Sequence, residues 1–187
     1  VIAFSGKGLF SSLIRFGTRH PVSHVGVVFH SGRLGTKDGR DYQVLVIEAI
    51  TQGVTISRLS EVVRTYDGSI WWLPLGPFIR EAADPLALMD ALLAVQDRRY
   101  DLWQALTSPI ALKTLPRPVL LARRALKRLF CSELVAVGLK AAGILPESWP
   151  ARAMTPASIC RLCIYSEHYW QIKGQGLEIP GFNTWFP

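Results

Sequence analysis

The chain has 187 residues, of which 49% are hydrophobic, and its 21 Lys and Arg residues exceed its 14 Asp and Glu residues to give a formal net charge of +7. This length and composition predict a single domain over residues 1–187 with a sizeable core. No apolar run reaches the roughly 18 to 20 residues of a membrane span, and SGKG interrupts the apolar start of the chain, so neither a transmembrane segment nor a signal peptide is expected.

The first half of the chain is rich in strand-like segments. A Gly-rich turn and a short helix come first, in residues 4–16, and Leu9, Leu13 and Phe16 are spaced to share one face of that helix. The predicted strands cover residues 23–30, 42–50, 54–59 and 69–75. A TQG turn joins the middle two, so that residues 42–59 are predicted to form a hairpin.

Helical patterns replace strands in the second half. Asp84 is the predicted N-cap of a helix that continues as LALMDALLAVQDRR. CSELVAVGLKAAG predicts a helix over residues 131–143 that stops at Gly143, and TPASICRL predicts a shorter one. Strands followed by helices, with no internal repeat, predict an α+β fold with an antiparallel sheet.

The three cysteines are Cys131, Cys160 and Cys163. An odd number argues against a disulfide framework. Cys160 and Cys163 form a C-x-x-C pair, but no βαβ pattern precedes it, so the two residues are interpreted as positions on a short helix rather than as a redox or metal motif. The sequence contains neither a zinc-type spacing nor a nucleic-acid-binding motif, and no metal, other cofactor or nucleic acid is expected.

Cys131 stands at the start of its predicted helix, directly after the basic run formed by Arg123, Arg124, Lys127 and Arg128. One interpretation is a small buried side chain. The other is a nucleophile whose thiolate is stabilised by the helix N–H groups, the helix dipole and nearby positive charge. The basic run itself is either a solvated helix face or a contact for an anionic partner.

A cysteine nucleophile needs a base, and His24 is the preferred one of four histidines. It lies in a strand two residues before Gly26, which leaves room on the same face. His20 precedes a proline, His30 ends its strand, and His168 lies near the end of the chain. The alternative for His24 is a polar residue at the strand start bonded to the backbone.

Glu48 is the candidate for the group that orients the base. It is the only charged residue in the apolar strand QVLVIEAI. Burying a carboxylate is costly unless it is paired, and pairing with the ring of His24 removes that cost and fixes the tautomer. Two alternatives stay open: Glu48 faces solvent from an edge strand, or it pairs with a residue such as Arg58.

The segments LIRFGTRHPVSHVGVVF, VIEA, YD at Tyr100, FCSELVAVGLKAAG and TPASI resemble the circularly permuted papain-fold cysteine hydrolases related to the NlpC cell-wall peptidases. The YiiX-like and lecithin:retinol acyltransferase-like groups belong to that branch. The resemblance spans roughly residues 4 to 160, with SHVG and CSELV as its specific parts, and the order His24, Glu48, Cys131 is the permuted one. It implies a papain-like sheet with helices packed on it.

The resemblance further implies Cys131 as nucleophile, His24 as base and Glu48 as the third polar residue, acting through a thioester without a metal. Tyr100 is either a substrate-site phenol or a packing residue. The implied reaction is hydrolysis of amide or peptide bonds, foremost in peptidoglycan peptides, in the bacterial envelope or a phage particle.

Two alternatives to this function stay open. One is a lipid-directed amidase, thioesterase or acyltransferase, in which aromatic side chains line an acyl groove. The candidate aromatics are Trp71, Trp72, Trp149, Trp170, Trp185 and Phe186. The other is a non-catalytic binding or assembly module of a bacterial or phage particle that keeps the fold with an idle triad.

Overall fold

A computed structural model describes residues 1–33, 42–50, 53–95 and 131–186 of the chain. Within these residues, six strands form one sheet in the order β4-β3-β2-β1-β5-β6, and every neighbouring pair is antiparallel. The strands are β1 (Ile2–Gly6), β2 (His24–Arg33), β3 (Tyr42–Ile50), β4 (Gly53–Arg58), β5 (Gly68–Trp72) and β6 (Trp170–Lys173). The hairpin predicted over residues 42–59 is confirmed as β3 and β4.

Helices lie before, between and after the strands. They are α1 (Leu9–Thr18), α2 (Leu59–Thr65), α3 (Pro77–Ala82), α4 (described over residues 85–95), α5 (described over residues 131–141) and α6 (Pro156–Arg161). Asp84 caps α4 as predicted, because its Oδ1 accepts the backbone N–H groups of Leu86 and Ala87 at 2.9 and 3.0 Å. Gly143, with φ of 73°, follows the end of α5. The prediction of an α+β fold with an antiparallel sheet is confirmed.

The alternation of side chains along the strands divides the core into two parts. Ala3, Val25 and Ile47 belong to a large cluster that includes apolar residues of α5 and α6. Phe4 and Val46 belong to a smaller cluster that includes residues of α2. The sheet therefore lies between helical layers, and both of its central faces are buried.

Two of the strands, β1 and β6, were not predicted from the sequence. All five residues of β1 are buried, so Ile2–Gly6 shows no alternation of apolar and polar side chains. β6 is an edge strand of four residues whose exposed and half-buried positions carry Trp, Gln, Ile and Lys. β1 lacks the period-two pattern that identifies a half-buried strand, and WQIK alternates over only 4 residues, the lower limit for recognising such a pattern.

Several sequence predictions fall outside the described residues. They are Tyr100 and the basic run Arg123, Arg124, Lys127 and Arg128. In the part of the chain that is described, no helix is both long enough and apolar enough to cross a membrane.

Candidate functional site

The site begins at His24, the first residue of β2 rather than an interior position as the sequence suggested. Register places His24 opposite Phe4 of β1, and the two rings lie 5.2 Å apart between centroids. The His24 side chain is 20% exposed. The strand start therefore presents a partly exposed imidazole that is held on one side by an aromatic ring.

Glu48 of β3 binds the other side of the His24 ring. The distance from His24 Nε2 to Glu48 Oε2 is 2.7 Å, and the Glu48 side chain is 11% exposed. Glu48 lies opposite Gly26, and a Cβ at residue 26 would come within 3.3 Å of the Glu48 Cβ. The absence of a side chain at residue 26 thus leaves room for the carboxylate to reach the ring two residues away.

Cys131 is the first described residue of α5 and is 2% exposed. Its sulfur interacts with the His24 side chain and with the backbone N–H groups of Val25 and Ser132. Since Glu48 holds His24 Nε2, the ring nitrogen that is left for the sulfur is Nδ1. The structure therefore brings Cys131, His24 and Glu48 together in a row, in that order.

The electrostatics of this row favour a charged pair. Burial alone would raise the pKa of the Cys131 thiol, but the charge and hydrogen bond of His24 outweigh it and lower that pKa. Burial alone would lower the pKa of His24, but Cys131 and then Glu48 raise it to about 10. A lowered thiol pKa and a raised imidazole pKa are the two shifts that favour a thiolate–imidazolium pair over a neutral thiol beside a neutral imidazole.

Ser132 anchors the cysteine from the next position of α5. Its hydroxyl is fully buried and donates to the carbonyl of Met154 at 2.5 Å, just before α6. Its backbone N–H points to the Cys131 sulfur. The contact of the Ser132 hydroxyl with Met154 could not be predicted from the sequence. The contact of the Ser132 N–H with the sulfur had one signal, the unpaired N–H groups in the first turn of a helix that starts at a cysteine.

Tyr66 adds a phenol behind Glu48 that the sequence analysis also missed. Its ring packs on Phe4 at 5.1 Å between centroids. Burial, and then the negative charge of Glu48, raise the pKa of Tyr66 to about 12, so the phenol stays protonated. The carboxylate of Glu48 is thus bordered by one neutral hydroxyl-bearing ring and one imidazolium.

The other histidines are not part of this row. His20 is buried, its Nδ1 accepts the N–H of Val22, and its Nε2 lies 3.2 Å from the carbonyl of Pro180. Burial lowers the pKa of His20, which fits a neutral structural residue. His168 is exposed near the end of the chain. Tyr100, the predicted substrate-site residue, lies outside the described residues.

The described side chains contain no group of three or more His, Cys, Asp or Glu residues that could hold a metal ion. Comparisons with models of known protein families, with curated proteins and with solved structures found no match to this chain.

Proposed function

We propose that the protein is a cysteine-dependent acyl-transfer enzyme, with Cys131 as nucleophile, His24 as base and Glu48 as the residue that positions His24. The contact of Cys131 with His24 and the 2.7 Å contact of His24 with Glu48 carry this proposal. A nucleophile, a base within hydrogen-bond reach and a group that orients the base are the three parts that covalent catalysis by a thiol requires.

In the proposed reaction, the Cys131 thiolate attacks a substrate carbonyl carbon and forms a tetrahedral intermediate. The His24 imidazolium then gives its proton to the leaving amine or alcohol, which departs and leaves a thioester on Cys131. Neutral His24 next takes a proton from water, whose oxygen attacks the thioester and releases the acid. Glu48 holds the ring through Nε2 and stabilises the imidazolium in each half of the cycle.

The order of the parts along the chain supports the permuted papain-like arrangement that the sequence resembles. The strand with His24 comes first, the neighbouring strand with Glu48 second, and the helix with Cys131 last. On this basis we propose hydrolysis of amide or peptide bonds, with peptidoglycan peptides as the first substrate class, in the bacterial envelope or a phage particle. The net charge of +7 suits an anionic wall polymer.

A lipid-directed amidase, thioesterase or acyltransferase is the second candidate, because large apolar side chains stand exposed on the described surface. Leu9, Leu13 and Phe16 on α1 are 87%, 65% and 85% exposed. Trp72 and Trp170 stack at 5.2 Å between centroids and are 43% and 51% exposed. Both observations suit contact with acyl chains better than contact with a hydrophilic polymer.

The test is a substrate panel of wall peptides, acyl amides and acyl esters, assayed with the wild type and with Cys131→Ala. Trapped acyl-enzyme is sought by intact-protein mass spectrometry. Turnover of one class, with an acyl adduct on Cys131 that Cys131→Ala lacks, is the expected result. A panel without turnover, together with a Cys131 thiol no more reactive than a free cysteine, would instead favour the non-catalytic module.

A further inference from the structure

A basic groove of about 760 Å³ opens beside β1 and β5, and none of the three proposed catalytic residues lines it. Its charged lining consists of Lys7, Arg15 and Lys173 against the single carboxylate of Asp67. The uncharged polar lining consists of the hydroxyl-bearing residues Ser5, Thr65, Tyr66 and Ser69 together with Gln175. The groove therefore combines an excess of positive charge with several hydrogen-bond donors.

The cations of the groove differ in how far they are neutralised. Lys7 pairs with Asp67 at 3.0 Å on the exposed rim, with both side chains about three-quarters exposed. Arg15 and Lys173 pair with no carboxylate within the described ranges. The ammonium of Lys173 instead donates to the backbone carbonyls of Val63 and Arg64, at 2.6 and 3.3 Å. Two positive charges thus have no carboxylate partner in the part of the chain that the structure describes.

Arg15 is held in place but incompletely bonded. Its Nη1 and Nη2 donate to the hydroxyls of Ser5 and Ser12, at 3.5 and 3.1 Å. Its Nε is buried and has no hydrogen-bond partner among the residues that are described. Because Nε is buried, the part of the guanidinium that an anion in the groove can reach is its Nη groups, and the Nη2 contact with Ser12 is exposed.

We propose that this groove binds a phosphate group, which lies between Arg15 and Lys173 and accepts hydrogen bonds from the Nη groups of Arg15 and the ammonium of Lys173. The charge of about −1.5 to −2 on a phosphate monoester at pH 7 matches the two uncompensated cations. Its oxygens also outnumber those of a carboxylate, which suits a site with an arginine fork, an ammonium and several hydroxyls.

Glycine keeps the wall of the groove open. Gly174 has φ of 98°, and a Cβ there would collide with the side chain of Ser69. Ser69 in turn lies opposite Ser5 in the β1–β5 register. Ser5, Ser69 and the glycine therefore form a polar part of the groove wall next to Lys173.

The phosphate has two possible sources, a soluble phosphate ester and a lipid headgroup. The two sources would differ in their contacts with α1, because the helix that carries Arg15 also exposes Leu13 and Phe16. A headgroup in the groove would leave the adjoining acyl chains beside this apolar face. The experiment therefore has one arm for each source.

The first arm measures binding of inorganic phosphate to the full chain by calorimetry, at constant ionic strength set with chloride. Wild type is expected to bind phosphate, and Arg15→Gln and Lys173→Gln to bind it at least about tenfold more weakly, because each loses a charge-assisted hydrogen bond. Arg80→Gln is the matched control: it removes one exposed positive charge on α3, outside the groove, and should bind like wild type.

The second arm measures flotation with vesicles of phosphatidylcholine that contain phosphatidic acid, against phosphatidylcholine alone. Binding that requires both Arg15 and Leu13, tested as Leu13→Ser, identifies the lipid headgroup; phosphate binding without vesicle binding identifies a soluble ester. Phosphate that fails to bind to folded wild type would overturn the proposal. Equal affinities in Arg15→Gln, Lys173→Gln and Arg80→Gln, each checked for folding by circular dichroism, would also overturn it.

Discussion

Cys131 and Cys160 are two buried cysteines in one core, and their surroundings differ in almost every other respect. They are 2% and 0% exposed. Cys131 contacts an imidazole and two backbone N–H groups, and its pKa is lowered. Burial raises the pKa of Cys160 to about 12, and the amino group of Val1 and then Arg161 offset only part of that effect. Burial alone therefore makes a thiol inert, and only polar neighbours aimed at the sulfur reverse that effect.

The largest expected effect is on turnover. Cys131→Ala should lower turnover of any substrate that the panel identifies by about 10⁴- to 10⁶-fold, because no other group replaces the nucleophile. Cys160→Ala should keep its turnover per folded molecule while lowering the free energy of unfolding by about 1 kcal/mol. Both are measured by steady-state assay and urea unfolding. Equal losses of turnover in Cys131→Ala and Cys160→Ala would contradict the assignment of Cys131, and not Cys160, as the nucleophile.

Removal of the base and of its orienting partner should have graded effects. His24→Ala should reduce turnover by about 10²- to 10⁴-fold, the usual contribution of general acid–base catalysis. Glu48→Gln keeps a hydrogen-bond acceptor near Nε2 but loses the negative charge. Its loss of turnover should therefore be smaller than that of His24→Ala. It should also lower the pKa of His24, measured by NMR titration of the ring. If Glu48→Gln lowers stability but changes neither activity per folded molecule nor that pKa, Glu48 is structural.

Ser132 tests whether the cysteine depends on its anchor. Ser132→Ala removes the donor to the Met154 carbonyl and leaves that carbonyl without this partner, so the free energy of unfolding should fall by about 1 to 3 kcal/mol. The backbone N–H of residue 132 survives the substitution, so the pKa of Cys131 should change little. Urea unfolding and pH-dependent alkylation measure the two effects. A large rise in the pKa of Cys131 would instead assign the activation to the side chain.

The smallest effect is the pH dependence of stability from the ion pair. The folded pKa of His24, raised from 6.5 to about 10, gives stability that is fully present below pH 6.5 and is lost as pH rises through about 10. The lowered pKa of Cys131 gives stability that is lost as pH falls through its folded value. The pair thus stabilises the fold between those two limits.

The stability gap between wild type and His24→Gln should accordingly shrink from pH 7.5 to pH 10.5, by about 1 kcal/mol or less for a partly exposed pair. Urea unfolding at the two pH values measures it. Arg80→Gln, whose substitution lies on α3, serves as the control for general effects of pH on unfolding. A gap that stays constant across this range would show that His24 is not protonated in the folded protein at neutral pH.

Part of the candidate site could be predicted from the sequence. Glu48 stood alone in an apolar strand, and the cost of burying its charge led to His24 as its partner, which the 2.7 Å contact bears out. The sequence distinguished Cys131 from Cys160 by its helix start, the basic run before it and the family resemblance, but not by the groups that contact each sulfur. The difference depends first on the charge and hydrogen bond of His24 and then on the N–H of Val25, both of which reach the sulfur through tertiary packing rather than local pattern.

The fold, like the candidate site, could be predicted only in part from the sequence. Helix limits at Asp84 and Gly143 follow from local chemistry, because a capping carboxylate and a left-handed glycine act within a few residues. β1 was missed because both of its faces are buried, and a strand of that kind has no alternating pattern. Its central place in the sheet depends on pairing with β2 and β5, which lie 20 or more residues away.

The central claim is that His24 activates Cys131, and the rate of alkylation of each cysteine by iodoacetamide as a function of pH tests it most directly. Peptide mass spectrometry reads the rate at each site in wild type and His24→Ala. We expect Cys131 to react with a midpoint well below the ~8.5 of a free thiol, and this reactivity at pH 6 to fall by roughly 100-fold in His24→Ala. A Cys131 that titrates like a free thiol, or that is equally unreactive in both proteins, would contradict the account.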